Sequence, residues 1–245
     1  MSILHISTEA KKQGAQILIE PMNGSTWDSY RFSVHHDHPN FFLEPYHHLY
    51  YNDHFSNNGF DIIARYFSSI ETNLNFDNPA IAEREIELKK AGVTFRNINL
   101  QKYEEELENI FHFNAIAFRS NFLYTPITKN EFIKKYAKTQ GLIDPEFVIL
   151  AEDAERNLIG YFFCIIDFYN KKEKSLIVKT AARHPDKNWS GTGHIIGRMI
   201  CHRALQKQYQ SIIHSFMYEE GTSSNMSKNF LGSIFKNYVL YGKEL

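Results

Sequence analysis

Between Glu146 and Gly193 the chain carries three apolar runs, EFVILAED, LIGYFFCIIDF and SLIVKTAARH, separated by the charged turns DAERN and NKKEK and followed by HPDKNWSGTG. Short β-branched and aromatic runs joined by such turns predict an antiparallel three-strand meander. Pro185 closes the third strand, and glycines at 191 and 193 then open an amphipathic helix from about His194 to Gln208, with Ile195, Met199, Ala204 and Leu205 inward.

The flanking segments extend that order. VTFRNI (93–98) predicts a strand, and residues 103–118 a helix with Leu107, Ile110, Phe111 and Phe118 on its core face. Thr128 followed by Glu131 has capping-box spacing and predicts a helix from Lys129 to about Thr139. After the long helix come SIIHSFMY as a strand, a short helix near 224–230, and a last strand IFKNYVLY. From Val93 the order is βααβββαβαβ.

Ahead of it, a helix ends near Lys12, Ile17 to Ile19 reads as a strand, and Asn23-Gly24-Ser25 as a turn towards a helix. FFLEPYHHLYYNDHFSNNGF predicts a helix with Pro45 at its start and Gly59 past its end, followed by a strand IIARYFSSI. Pro79 opens a charged helix stopped by Gly92. This divides the chain into an αβ lobe (1–70), a connector (71–92) and a main domain (93–245).

The 245 residues hold 27 Lys+Arg against 28 Asp+Glu, a net charge of -1 that supplies no basic field for a nucleic-acid backbone. No run is apolar and long enough for a membrane span, and the N-terminus lacks a signal-like apolar region, which predicts a cytoplasmic protein. Two cysteines, Cys164 and Cys201, make no disulfide framework, and both lie in apolar patterns that predict inert core thiols. Six of the 12 histidines fall between His35 and His54. Their spacing lacks the i, i+4 geometry of a helical zinc pair, and no cysteine lies nearby, so they predict a solvated loop and helix face and no metal site.

The loop Asn188-Trp189-Ser190-Gly191-Thr192-Gly193 admits two readings, a turn with a helix cap or an anion site in which close-approaching amides and the helix dipole grip a pyrophosphate. Its place in the element order resembles the acyl-CoA loop [Gln/Arg]-x-x-Gly-x-[Gly/Ala] of the GCN5-related N-acetyltransferase (GNAT) superfamily, with Asn188 departing at the first position. The resemblance covers roughly residues 93–245. It implies an α/β fold with a mainly antiparallel sheet flanked by helices. The N-terminal lobe, where AQILIEPMNGST loosely parallels QSIIHSFMYEEGTSS, is either a degenerate half-copy or an unrelated extension.

The resemblance further implies direct attack of an amine on the thioester of acetyl-CoA or another acyl-CoA, with no enzyme nucleophile. Cofactor contacts then fall on Ala182 and Arg183 of a strand that splays from its neighbour, and on Asn188, Trp189, Ser190, Gly191, Thr192, Gly193 and His194. The family's usual strand base has Ile177 in its place, and its usual acid has Asn229 and Phe230. Glu219 or Glu220 as base and Tyr241, or else Tyr238, as acid are the candidates that remain. Arg119 and Tyr124, in the loop between the first two helices, are candidates for the acceptor, a small-molecule or peptide amine. The alternatives are a catalytically inactive ligand- or partner-binding protein of the same fold, and a metal protein built on the histidine cluster.

Overall fold

The computed structural model describes residues 3–221 and 232–245. Nine strands form one sheet: β1 (Ile17–Glu20), β2 (Phe32–Ser33), β3 (Asp61–Glu71), β4 (Thr94–Asn97), β5 (Val148–Glu152), β6 (Leu158–Ile166), β7 (Ser175–Arg183), β8 (Ser211–Tyr218) and β9 (Ser233–Glu244). The helices are α1 (Ile3–Lys12), α2 (Tyr50–Asn57), α3 (Pro79–Lys90), α4 (Tyr103–Ala117), α5 (Lys129–Ala137) and α6 (Thr192–Gln206). The strands run in the order β1-β9-β3-β8-β7-β6-β5-β4, with β2 also on β9; every pairing is antiparallel except β7 with β8. The expected short helix at 224–230 lies outside the described residues.

Local signals were followed closely in the second half. Thr128 caps α5 with the full reciprocal box to Glu131. Leu107 and Ile110 of α4 are buried with Phe132 of α5 against Val148, Leu150, Tyr161 and Phe163 on one sheet face. Ile195, Ile196, Ile200 and Ala204 of α6 pack with Leu88 of α3 against Ile149, Phe162 and Leu176 on the other. Leu205, expected inward, is exposed. Cys164 and Cys201 are buried in this second core, where desolvation pushes the Cys201 thiol up to about 12 and Cys164 further in the same direction.

The N-terminal segment departs more from expectation. β3 runs between β8 and β9, so this segment supplies an interior strand of the sheet that the rest of the chain builds. No helix follows Asn23. Trp27 instead donates its indole N–H to the Thr125 carbonyl (2.8 Å), and Asp28 pairs with Lys135, which ties this loop to α5. The helix expected at Pro45 begins at Tyr50, because Phe41 and Glu44 are drawn inward: Glu44 is buried against Lys236 of β9. The aromatic excess is largely core, with Phe32, Phe60, Tyr241, Phe41, Tyr66 and Tyr238 in three clusters around β3 and β9. Among the described residues, no helix is long and apolar enough to cross a membrane.

Candidate functional site

Strands β7 and β8 form a fork. Their parallel ladder runs only from Ser175 opposite Ser211 to Val178 opposite His214, although both strands continue beyond it. Both strands are bulged at that point. On β7, Thr180 faces Phe163 and Val178 faces Cys164, which leaves Lys179 as the extra residue. On β8, Met217 pairs with Phe67 and His214 with Ser69, so Ser215 and Phe216 stand opposite Ser68 alone.

A bulge bends its strand and reverses the alternation of side chains. Accordingly Val178 packs in the α6 core while Ala182, four residues on, packs in the α4/α5 core. Ile213 and Phe216 likewise share one cluster despite their odd spacing. The Ser215 hydroxyl donates to the Val178 carbonyl (3.0 Å) and closes the apex of the fork where the ladder stops. From Thr180 to Arg183, β7 remains paired with β6, and from Lys179 onward it has no ladder partner on the β8 side. That edge includes Ala182 and Arg183.

The glycine loop sits beside this edge. Thr192, the first residue of α6, packs its methyl where a Cβ on Gly160 of β6 would stand (3.0 Å), next to the Ala182 carbonyl. Gly191 precedes the helix at φ +94, a left-handed conformation that favours glycine. Arg84 of α3 lies on the loop, donating from Nε to the Ser190 carbonyl (2.9 Å) and from Nη2 to the Asn188 carbonyl (2.7 Å). Because a trans peptide holds its N–H opposite its carbonyl, fixing Ser190 O on Arg84 turns the Gly191 amide away from the guanidinium. The first bond within the helix is Ile195 N to Gly191 O, so the amides of Thr192 and Gly193 precede the helical ladder, as first-turn amides do. Glycine approach and a helix N-terminus suit an anion such as a pyrophosphate, while Arg84, already paired with Glu87 (2.8 Å), braces the loop. Asn188 and Ser190 are exposed, Trp189 and His194 partly buried, and burial lowers the His194 pKa, with Arg183 adding to the effect.

A cleft of about 580 Å³ opens at the fork. Val178 to Ala181 and His214 to Met217 form one wall, and Trp27, Tyr30, Arg31, Phe122, Tyr124 and Tyr136 stand around it. Tyr124 stands edge-on to Trp27 there (6.1 Å between ring centres). Of the six non-glycine residues with positive φ among the described residues, Arg31, Leu43 and Phe216 line the cleft. Strained backbone of this kind gathers at ligand sites. His214 also lines the cleft, and burial drives its pKa down to about 4, so the imidazole is neutral at pH 7.

The remaining candidates are elsewhere. Glu219 and Glu220 are exposed at the end of β8 and do not line the cleft; Glu220 accepts from the Tyr218 hydroxyl (3.0 Å). Tyr238 is buried with its hydroxyl between Ser68 (3.2 Å) and Glu44 (3.1 Å), and Tyr241 donates to Asn52 (3.1 Å) inside an aromatic cluster. Neither lines the cleft: Tyr241 fills an aromatic core, and Tyr238 packs against Phe216 of the cleft wall (5.3 Å between ring centres). Arg119 is exposed and outside the cleft. Ile177 is fully buried. In the histidine-rich segment, His35 pairs with Asp37 (3.1 Å) and His47 meets the Ser33 carbonyl (3.3 Å). Among the described residues no group of three or more His, Cys, Asp or Glu could hold a metal ion. Arg31, Arg84 and His214 were missed by sequence; their partners lie on distant strands and loops, and no local pattern marks them.

No protein-family model matches the chain, and no curated protein matches it in sequence. Solved structures do match in shape. A tandem GNAT protein from the clavulanic acid biosynthesis pathway superposes with a TM-score of 0.56 at 10% identity, over 98% of this chain and 67% of its own. A GCN5-related glucosamine N-acetyltransferase region of a fungal multi-domain GH3 β-N-acetylglucosaminidase gives 0.57 at 14% identity, over 79% of this chain and 22% of that one. A GCN5-related N-acetyltransferase from Sphaerobacter thermophilus gives 0.53 at 12% identity, over 79% and 56%. The chain thus spans about a fifth and about half of the length of the latter two. With its mixed sheet, forked strand pair and adjoining glycine loop, the chain has the fold of the GCN5-related N-acetyltransferases.

Proposed function

We propose that the protein is an acyl-CoA-dependent N-acyltransferase, with acetyl-CoA as the default donor and an amine in the cleft as acceptor. The observation that carries this reading is the end of the β7–β8 ladder at Val178 and His214, with a bulge on each strand, beside a glycine loop at a helix N-terminus. The donor, when bound, supplies an activated thioester. The loop at 188–193 and the first amides of α6 grip its pyrophosphate, with Arg84 holding the loop carbonyls aside. The unpaired edge of β7 from Lys179 to Arg183 bonds an extended amide-bearing arm as an added strand. An amide of that edge also polarises the carbonyl oxygen.

The acceptor nitrogen enters from the cleft, the C–N bond forms, and the C–S bond then breaks with the thiolate leaving. Neither buried cysteine takes part. His214, neutral at the apex of the fork, accepts a proton once nitrogen has bonded to carbon and become cationic and acidic.

Calorimetric titration of the full chain with acetyl-CoA and separately with CoA tests the reading, followed by acetyl transfer to a panel of amines. Saturation near one site per chain with transfer to an amine supports it. Binding without transfer to any amine favours a catalytically inactive ligand-binding protein of the same fold, and no binding rejects the acyl-CoA site itself.

A further inference from the structure

A buried cation in the cleft lacks a counter-charge among the described residues. Arg31 is 8% exposed and lines the cleft, yet it makes no ion pair among the described residues, where its Nε is buried with no hydrogen-bond partner. Its guanidinium carbon lies 3.7 Å from the ring centre of Tyr30, 4.6 Å from that of Phe216 and 4.7 Å from that of Tyr66. The aromatic faces and a hydrogen bond with Tyr30 offset part of the desolvation of this cation but bring no carboxylate to it. The backbone that presents it is also unusual: Arg31 holds φ +73, fixed by its amide donating to the Pro21 carbonyl (3.0 Å). Left-handed arginine is strained, and here the strain accompanies a buried charge in a cavity wall.

The rest of the lining has the same sign. Arg31, Lys135 and Lys179 face one acid, Asp28, and Lys135 already pairs with Asp28. Lys179 rests against the Tyr136 ring (4.9 Å to its centre), again with no carboxylate in ion-pair range among the described residues. Such a lining repels polycationic amines.

We propose that the cleft binds a molecule carrying a carboxylate, and that this carboxylate pairs with Arg31. One planar guanidinium between aromatic faces suits one planar carboxylate, bound side by side. On the acyltransferase reading, from which this inference takes only the word acceptor, the substrate is an amino-acid-like amine with an apolar or aromatic body, its amine turned to the fork. A phosphate monoester is the competing anion and is distinguished in the test.

The test uses binding probes that need no catalysis. Phenylacetate, phenylacetamide and inorganic phosphate are titrated into the full chain and followed by tryptophan fluorescence and calorimetry, for wild type, Arg31→Met and Arg31→Lys. Wild type is expected to prefer phenylacetate over phenylacetamide by about tenfold or more, the scale of a charge-assisted hydrogen bond. Arg31→Met is expected to abolish that preference and to melt no lower than wild type, since it removes an unpaired buried charge. Equal binding of the two organic probes, no binding of either, tighter binding of phosphate, or a preference that survives in folded Arg31→Met overturns the proposal. If Arg31→Met fails to fold, the wild-type comparison still decides, and Arg31→Lys, which keeps the charge but not the planar fork, is expected to weaken the preference. Acetyl-CoA binding in parallel separates the two claims: carboxylate preference without acetyl-CoA binding sinks the acyltransferase reading alone, and the reverse sinks this one alone.

Discussion

Lys236 of β9 places its Nζ 2.8 and 3.0 Å from the two carboxylate oxygens of Glu44, with both side chains almost wholly buried. Glu44 also receives the Tyr238 hydroxyl (3.1 Å) and the Phe41 amide (3.3 Å). The pair fastens the loop before α2 to the far end of the chain. Removing one partner leaves a bare buried charge, so Glu44→Gln is expected to cost about 3 kcal/mol or more by urea unfolding. A loss below about 1 kcal/mol, the scale of an exposed pair, contradicts the burial.

The same relationship forbids cutting the protein at its apparent boundary. A fragment of residues 71–245 lacks β3, exposing the facing edges of β8 and β9, and leaves Lys236 without Glu44. We expect no cooperative thermal transition from it. A soluble fragment melting as sharply as the full chain would show that the N-terminal segment is dispensable.

The glycine loop makes a prediction about coupling. A Cβ on Gly191 would stand 2.8 Å from Cγ of Arg84 in a backbone conformation that already disfavours alanine. Gly191→Ala is expected to lose about 1–2 kcal/mol and to weaken acetyl-CoA binding, by displacing Arg84 from the Ser190 and Asn188 carbonyls. In an Arg84→Ala background the clash is gone, so the same substitution should cost less. Additive losses in the double-mutant cycle would mean the two residues do not communicate.

Burial of His214 sets a pH dependence. Its folded pKa of about 4 lies below the ordinary 6.5, so between those values the unfolded chain binds the extra proton and stability rises with pH. The full contribution is present above about pH 6.5 and is lost as pH falls towards 4, a change of up to about 3 kcal/mol. Urea titrations from pH 7.5 to 4.5 should show a steeper decline for wild type than for His214→Asn. Parallel curves would mean that His214 is solvated. On the proposed chemistry, His214→Asn also lowers kcat/KM by about a hundredfold with little change in acetyl-CoA affinity.

How far the sequence carried these conclusions depended on the range of the interactions. The box from Thr128 to Glu131 joins neighbours one helical turn apart and was readable, as were the meander turns and the inward faces of α4. The fork was expected, but its cause was hidden: SLIVKTAARH is an unbroken apolar-to-polar run, and the bulge at Lys179 exists only relative to β6. The place of β3 between β8 and β9 depends on pairing with strands from the opposite end of the chain, which no local periodicity encodes. Tyr238 and Tyr241 were expected to alternate with core positions, whereas both are buried, against partners from the N-terminal segment that no local pattern encodes. Arg31 and Arg84 were invisible because a lone arginine in a loop or charged helix looks solvated until distant rings and carbonyls close around it.

The central claim is that acyl-CoA lies along the open edge of β7 with its pyrophosphate at the start of α6. Hydrogen–deuterium exchange of the full chain with and without saturating acetyl-CoA tests it most directly. The account predicts slowed amide exchange in peptides covering residues 179–183 and 188–194, and little change in α1 or α2. Saturable binding that protects other segments, or no protection at saturating acetyl-CoA, would contradict it.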